Sequence, residues 1–305
     1  MRLLVLDHFF GQDIESLREE LGDAGTLRVI SYEILRDEAL AVFPSEVGDG
    51  LEAFAQPGWE HLRRRYSERL SAFFEGEYAR GQFDAFVAPS DTFYYVRAAA
   101  TAAHRLGVPF FVAQKETTIS DHTMRVHSQR LRELAPPLAD HMTVCSARHR
   151  DFWLRAGADP ERVVVTGQPR FDFYAKAGTR PQLDYGDPSQ PTVLFFSYMA
   201  DAYHPSEGTG DPAWARLHHE TESQLWELAR RGWRVLVKPH PQQGFKEERN
   251  RITRELGSLV GKQVFLIYPR EDARRLIAGS DVVVGFQTTA LFEALVAGKP
   301  VVYTG

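Results

Sequence analysis

The chain has a single cysteine, Cys145, in 305 residues. No internal disulfide can form, and no cysteine set is at hand for zinc. No window approaches the roughly 20 unbroken apolar residues that a membrane-crossing helix needs. The opening MRLLVLDHFFGQD meets an acid too early for a secretory signal, so the cytoplasm is the expected compartment. Excess positive charge is also missing: 36 Lys and Arg against 41 Asp and Glu give a net charge of −5, with no sign of a nucleic-acid binder. Three chemical signatures are absent as well, the Gly-x-Gly-x-x-Gly dinucleotide loop, the Walker-type phosphate loop and the Gly-x-Ser-x-Gly elbow. Hydride transfer, P-loop hydrolysis of nucleoside triphosphates and serine-esterase chemistry all lose ground accordingly.

What is present is alternation. Short β-prone runs, each followed by a helix-like segment, recur throughout, and this pattern predicts an α/β protein with parallel sheets covered by helices. The first half offers strands at 3–7, 27–31, 84–89, 110–114, 142–146 and 163–167. The second offers 193–198, 234–239, 264–269, 281–286 and 300–304. The longest helical pattern runs from about Leu51 to Tyr78, with Leu62, Tyr66, Leu70, Phe73 and Phe74 at core spacing. Between Phe173 and Pro191 the pattern gives way to proline, glycine and polar residues, as an interdomain connection does. The expected organisation is a first domain over 1–175, a linker over 176–190 and a second domain over 191–305. Two Rossmann-like, doubly wound domains facing a cleft would bind ligands at the carboxyl ends of their strands. Gly305 follows directly on the last strand with no helix left to cover it, so the second domain reads as truncated at its end.

Four strand-to-loop junctions carry chemistry. In RVLVKPHPQQGF (234–245), prolines on both sides of His240 forbid helix and fix an imidazole at a strand end, where it can donate to phosphate or sugar oxygen. Lys238 adds charge. In DVVVGFQTTALFEALVAGKPVV (281–302), Gln287, Thr288 and Thr289 open a helix that stops at Gly298, and hydroxyls with unpaired amides at a helix start suit a phosphate. Glu293 lies one turn beyond Thr289, where it can accept from a ribose. In VTGQPRFDFY (165–174), Gly167 frees the turn, and Arg170 either pairs with Asp172 to clamp the junction or meets donor phosphate. In FFVAQKETTISDHTM (110–124), Glu116 is the expected general base for an acceptor hydroxyl, with a helix cap at Ser120 or Asp121 as the plainer reading.

Other features read structurally. Ser90 or Asp91 is expected to cap a helix, Cys145 to be buried and inert, and Arg63 to Arg65 to form a solvated helix face or a contact for a phosphate-bearing or membrane-linked acceptor. His218 and His219 point to different helical faces, which disfavours metal, and no metal ligand set is assigned.

Together these stretches resemble the two-Rossmann-domain GT-B architecture of bacterial surface-polysaccharide transferases. VTGQPRFD looks like the Gly-x-Pro-Arg-x-Asp junction of CDP-glycerol glycerophosphotransferases, and VKPHP with GFQTTALFEALVAGKPVV looks like the His-Pro and Ser/Thr motifs of capsule-synthesis transferases. The resemblance covers mainly residues 163 to 302. It implies donor-phosphate contacts for His240, Thr288 and Thr289, with Glu293 near the nucleoside. It departs from sialyltransferase-like members in lacking their acidic base motif, so Glu116 rests on position alone. The expected activity is metal-independent, cofactor-free transfer of a sugar or polyol phosphate from a nucleotide-sugar or CDP-polyol donor to a glycan or lipid-linked acceptor, with peripheral association at the inner membrane face left open. The alternatives are a UDP-N-acetylglucosamine 2-epimerase-like enzyme and a non-catalytic nucleotide-sugar-binding subunit.

Overall fold

In a computed structural model the described residues are 1–44, 47, 50, 56–115, 119–176, 180–198, 212–240, 243–268, 271–286 and 288–304. They form two compact units, 1–172 and 173–305. The first is built on β1 (Arg2–Asp7), β2 (Thr26–Ser31), β3 (Ala85–Ala88), β4 (Phe110–Ala113), β5 (His141–Val144) and β6 (Val163–Val165). Every pairing is parallel, in the order β2-β1-β3-β4-β5-β6. Because successive side chains of a strand leave by opposite faces, the run LLVL of β1 feeds two apolar clusters at once. Leu4 and Leu6 join one, Leu3 and Val5 the other.

Helices cover both faces of that sheet: α1 (Gly11–Leu21), α2 (Tyr32–Leu40), α3 (Glu60–Arg80), α4 (Tyr94–Arg105), α5 (Ser128–Leu134) and α6 (Ala147–Arg155). A π-helical turn at Thr123–His127 leads into α5. The predicted 51–78 helix starts later, at Glu60. Pro57 and Gly58 form a turn in which Gly58 takes φ 82°, outside helical space, and residues 51–55 lie outside the described set. Its core spacing holds: Tyr66, Leu70 and Phe74 are buried, with Leu62 and Phe73 partly so.

The second unit is built on β7 (Thr192–Ser197), β8 (Arg234–Pro239), β9 (Val264–Leu266), β10 (Val282–Gly285) and β11 (Val301–Tyr303), again wholly parallel, in the order β11-β10-β7-β8-β9. All six residues of β7 and of β8 are buried, as expected of central strands covered on both faces. Its helices are α7 (Asp172–Lys176, which begins in the first unit), α8 (Pro212–Arg230), α9 (Phe245–Leu256), α10 (Ala273–Gly279) and α11 (Ala290–Val296). Among the described residues no helix is long and apolar enough to cross a membrane.

The stretch expected as a linker is anchored rather than free. Arg180 donates to the Gly279 carbonyl at 2.7 and 3.0 Å and pairs with Asp281 at 2.5 and 2.9 Å, while Leu183 and Tyr185 join the apolar cluster under α10 and α11. Leu183 packs so closely on α10 that a Cβ at Gly279 would lie 2.5 Å from its Cγ. Gly279→Ala is therefore expected to destabilise by about 1–3 kcal/mol through overpacking. Thermal denaturation should show a lowered Tm, and Leu183→Ala should lower Tm by less in the Gly279→Ala background than in the parent protein, because the two residues share one contact.

Candidate functional site

Open parallel sheets bind ligands where strand order reverses, because the helices leaving two neighbouring strands diverge there. In the second unit that point falls between β7 and β10, which the chain reaches as its first and fourth strands. The residues just past those strand ends and past the neighbouring β8 are the candidate site. His240 follows β8 and Thr288 follows β10, so both stand on the carboxyl edge, separated by β7 alone. Two strand spacings put them about 10 Å apart. They share one edge of one sheet, as a shared phosphate site requires.

His240 is held at its backbone. Its amide donates to the Ser197 carbonyl at 3.1 Å and to Gln243 Oε1 at 2.6 Å, and Gln243 Nε2 reaches Ser197 Oγ at 3.4 Å. These bonds tie the loop after β8 to the end of β7. Burial pulls the His240 imidazole below the usual histidine range, which favours the neutral ring. A neutral imidazole still offers one N–H to an oxyanion.

Lys238 lies two residues earlier, and alternation places it on the same side of the strand. It is opposite Phe196, which in turn is opposite Gly285, so one row crosses from the lysine to the switch point. The lysine is buried, with Nζ 3.5 Å from the Tyr268 carbonyl. Desolvation draws its pKa down, and Glu271 and Asp272 oppose that shift.

At the end of β10 the two threonines of the helix start have different roles. α11 begins at Ala290 and has seven residues, and Thr288 Oγ1 accepts from the Ala290 amide at 3.3 Å. Thr288 is therefore the capping hydroxyl, while Thr289 occupies the cap position with helical backbone angles and no side-chain cap bond. Gln287 lies outside the described residues. The predicted stop holds: Gly298 takes φ 67°, and the amides of Gly298 and Lys299 close back on the carbonyls of Leu295 and Ala294. Glu293 is buried, 5% exposed, and Tyr174 donates its hydroxyl to Glu293 Oε2 at 3.0 Å.

In the VTGQPRFD stretch the structure pairs Arg170 with a residue other than Asp172. Gly167 does turn the chain, at φ 85°. Arg170 is buried and faces Asp13 of α1, a fully enclosed carboxylate: the Arg170 amide donates to Asp13 Oδ1 at 3.2 Å and its guanidinium stands 3.9 Å from Oδ2. Asp172 is exposed at the start of α7, so it is not the partner of Arg170. The motif's arginine thus fastens the chain after β6 back onto the first helix. Sequence reasoning missed Asp13 because 157 residues separate the pair.

Other expectations in the first unit also change. Glu116 lies outside the described residues. Ser120 does cap, accepting from the Thr123 amide at 3.1 Å, whereas Asp121 pairs with Arg148 at 2.7 Å. Neither Ser90 nor Asp91 caps α4. Asp91 is fully buried and accepts from the amides of Leu138 and Ala139, pinning the turn before β5. Cys145 is half-buried, just beyond β5, with Sγ 2.5 Å from His149 Nδ1. In the second unit His218 stands 3.6 Å from Glu222, which Arg251 grips with two nitrogens. Among the described residues no group of three or more His, Cys, Asp or Glu is placed to hold a metal.

No protein-family model matches the chain, and no curated protein matches it by sequence. Solved structures do match over nearly its whole length. UDP-GlcNAc 2-epimerase from Neisseria meningitidis bound to UDP-GlcNAc is 17% identical with a TM-score of 0.57, covering 99% of this chain and 82% of that one. UDP-GlcNAc 2-epimerase from Methanocaldococcus jannaschii is 15% identical with a TM-score of 0.56, covering 99% and 83%. A glycosyltransferase from Rickettsia africae is 12% identical with a TM-score of 0.53, covering 99% and 78%. At such identities the likeness defines the fold, the two-Rossmann-domain GT-B-like architecture.

The burial of His240 has a consequence for pH. A histidine whose folded pKa is depressed binds fewer protons folded than unfolded, so it costs stability as pH falls below its ordinary value near 6.5. Replacing it with an uncharged side chain removes that cost. Thermal melts of His240→Gln between pH 7.5 and 5 should show a shallower acid-side fall in Tm than the parent protein, and an unchanged slope would contradict the half-buried setting of the ring.

Proposed function

We propose that this protein is an enzyme acting on a nucleotide-sugar, and that its chemistry is of the UDP-N-acetylglucosamine 2-epimerase kind. The observation that carries the reading is the pairing, on one carboxyl edge, of a buried ammonium with a backbone-locked imidazole beside the switch point of the second sheet. Such a pair suits a diphosphate. Lys238 supplies charge in a poorly solvated position, and His240 supplies a directed N–H, so negative charge on a departing or returning diphosphate is stabilised without rearrangement of the loop. The Thr288 hydroxyl, on the same edge, adds a neutral contact.

Structural likeness favours epimerisation over the glycerophosphate transfer that the sequence motifs suggested. The Neisseria protein is an epimerase seen with UDP-GlcNAc, and the architecture is shared across 99% of this chain. The Pro-Arg-x-Asp motif, which had argued for transfer, has a structural use here in the contact between Arg170 and Asp13. A glycosyl-transfer reading keeps support from the Rickettsia glycosyltransferase, which shares the fold. Cofactor-free and metal-independent catalysis is part of the proposal.

Incubation with UDP-N-acetylglucosamine followed by proton NMR is the deciding experiment. The manno isomer should appear, and His240→Ala should slow its formation by about 100-fold or more, the scale on which losing one directed donor acts. Release of UDP that depends on an added sugar acceptor would favour transfer instead. Calorimetry showing no binding of UDP or UDP-N-acetylglucosamine at millimolar concentration would overturn both.

A further inference from the structure

The first unit has a cavity of its own, about 660 Å³, within the range of small-molecule sites. It opens where the first sheet reverses its order, between β1 and β3. His8 and Phe9 line it just after β1, Ser90 just after β3, and Gln114 and Lys115 just after β4. This is the position where a doubly wound sheet binds ligands, and none of these residues belongs to the second-unit site.

The lining has a definite chemistry. Lys115 and Arg130 bring fixed positive charge, and His8 and His149 bring imidazoles. Among the described lining residues there is no Asp or Glu. Phe93, Phe152 and Trp153 supply apolar walls against which the face of a ring can lie. Gln114 is 8% exposed. Its amide nitrogen donates to the Lys115 carbonyl at 3.1 Å, while its buried Oε1 has no partner among the described residues. A buried amide oxygen left unpaired costs free energy, and a ligand hydroxyl or N–H would satisfy it. At the mouth, Phe9 is the one non-glycine residue among those described with a positive φ, 54°, and its ring is largely exposed with Lys115 Nζ 5.5 Å from its centroid. Backbone strain of this sort persists where the surroundings hold it, often at ligand sites.

We infer that this cavity is a second binding site, for an acidic sugar: a ring with hydroxyl donors that carries a phosphate or a carboxylate. The anionic group sits against Lys115 and Arg130, a hydroxyl donates to Gln114 Oε1, and the ring lies on the aromatic wall. Such a ligand carries no nucleotide, so the site is independent of the nucleotide-sugar reading of the second unit.

A matched series of probes tests it by calorimetry: glucose, glucose 6-phosphate, glucuronate and inorganic phosphate, at low salt so that charge is not screened. Either acidic sugar should bind at least about tenfold tighter than both glucose and inorganic phosphate. The tighter of the two identifies phosphate or carboxylate as the recognised group. Arg130 is exposed, so Arg130→Gln should fold normally, with an unchanged far-ultraviolet circular dichroism spectrum, and should erase the preference over glucose. Gln114→Leu should weaken the acidic sugars while leaving inorganic phosphate as it was. Equal affinity for glucose and its acidic forms, or an unaltered preference in Arg130→Gln, would overturn the inference. So would loss of acidic-sugar binding in His240→Ala, which would place the ligand on the second unit. Failure of the protein to bind UDP would defeat the nucleotide-sugar reading and leave these outcomes standing.

Discussion

Parallel pairing constrains everything else in this protein. A strand that runs parallel to its neighbour can be reached only by a crossover, so helices must cover both faces of each sheet and the strands must be apolar on both sides. The cost of that arrangement is that all six carboxyl ends of one sheet, and all five of the other, emerge along single edges. Loops carrying polar residues are gathered there by topology before any side chain is chosen. Where strand order reverses, the helices part and the edge opens. One such opening lies beside Lys238, His240 and Thr288, the other beside His8, Ser90 and Gln114.

This explains how much could be read from the residues alone. The central strands were legible because a strand buried on both faces is an unbroken apolar run, and VLFFS and RVLV admit little else. Helix α3 was legible through the spacing of Tyr66, Leu70 and Phe74, and its start was not, because a turn at Pro57 and Gly58 competes with a helical pattern that periodicity alone extends. His240 was legible because its flanking prolines are a local signal and strand ends are where ligands bind. Which threonine caps α11 was not legible: a threonine pair offers two hydroxyls, and only the backbone geometry decides which of them reaches the amide.

The contacts that sequence reasoning missed are the ones with no local signature. Asp13 and Arg170 are joined by the return of the chain to its first helix. Asp91 reads as a cap because Asp-Thr before an apolar helix usually is one, yet its carboxylate turns to the amides of Leu138 and Ala139, 47 and 48 residues away. Glu293 reads as a ribose acceptor one turn into its helix, and it accepts from Tyr174, more than a hundred residues earlier in the chain. In each case a buried polar group found its partner across the fold, and the need for a partner was predictable even where its identity was not. The first-unit cavity belongs with these. LDHFF and FVAQK each read as a strand running out, and only the order β1-β3-β4 sets His8 beside Ser90 and Gln114.

The electrostatics of the second-unit edge follow from the same burial. Withdrawing Lys238 and His240 from water penalises their charged forms, so both titrate lower than they would on a surface. A group held in this way is a stronger partner for an anion, since in a poorly screened setting the attraction is larger than in water. On the proposed reading, a diphosphate at that edge would restore favourable charge around the lysine and offer an acceptor to the imidazole, offsetting the desolvation on binding. The backbone of His240 cannot drift to relieve the cost earlier, because Ser197 and Gln243 hold its amide. Rigidity and partial burial therefore act together: the loop keeps the imidazole in position, and the low solvation would strengthen any anion contact made there.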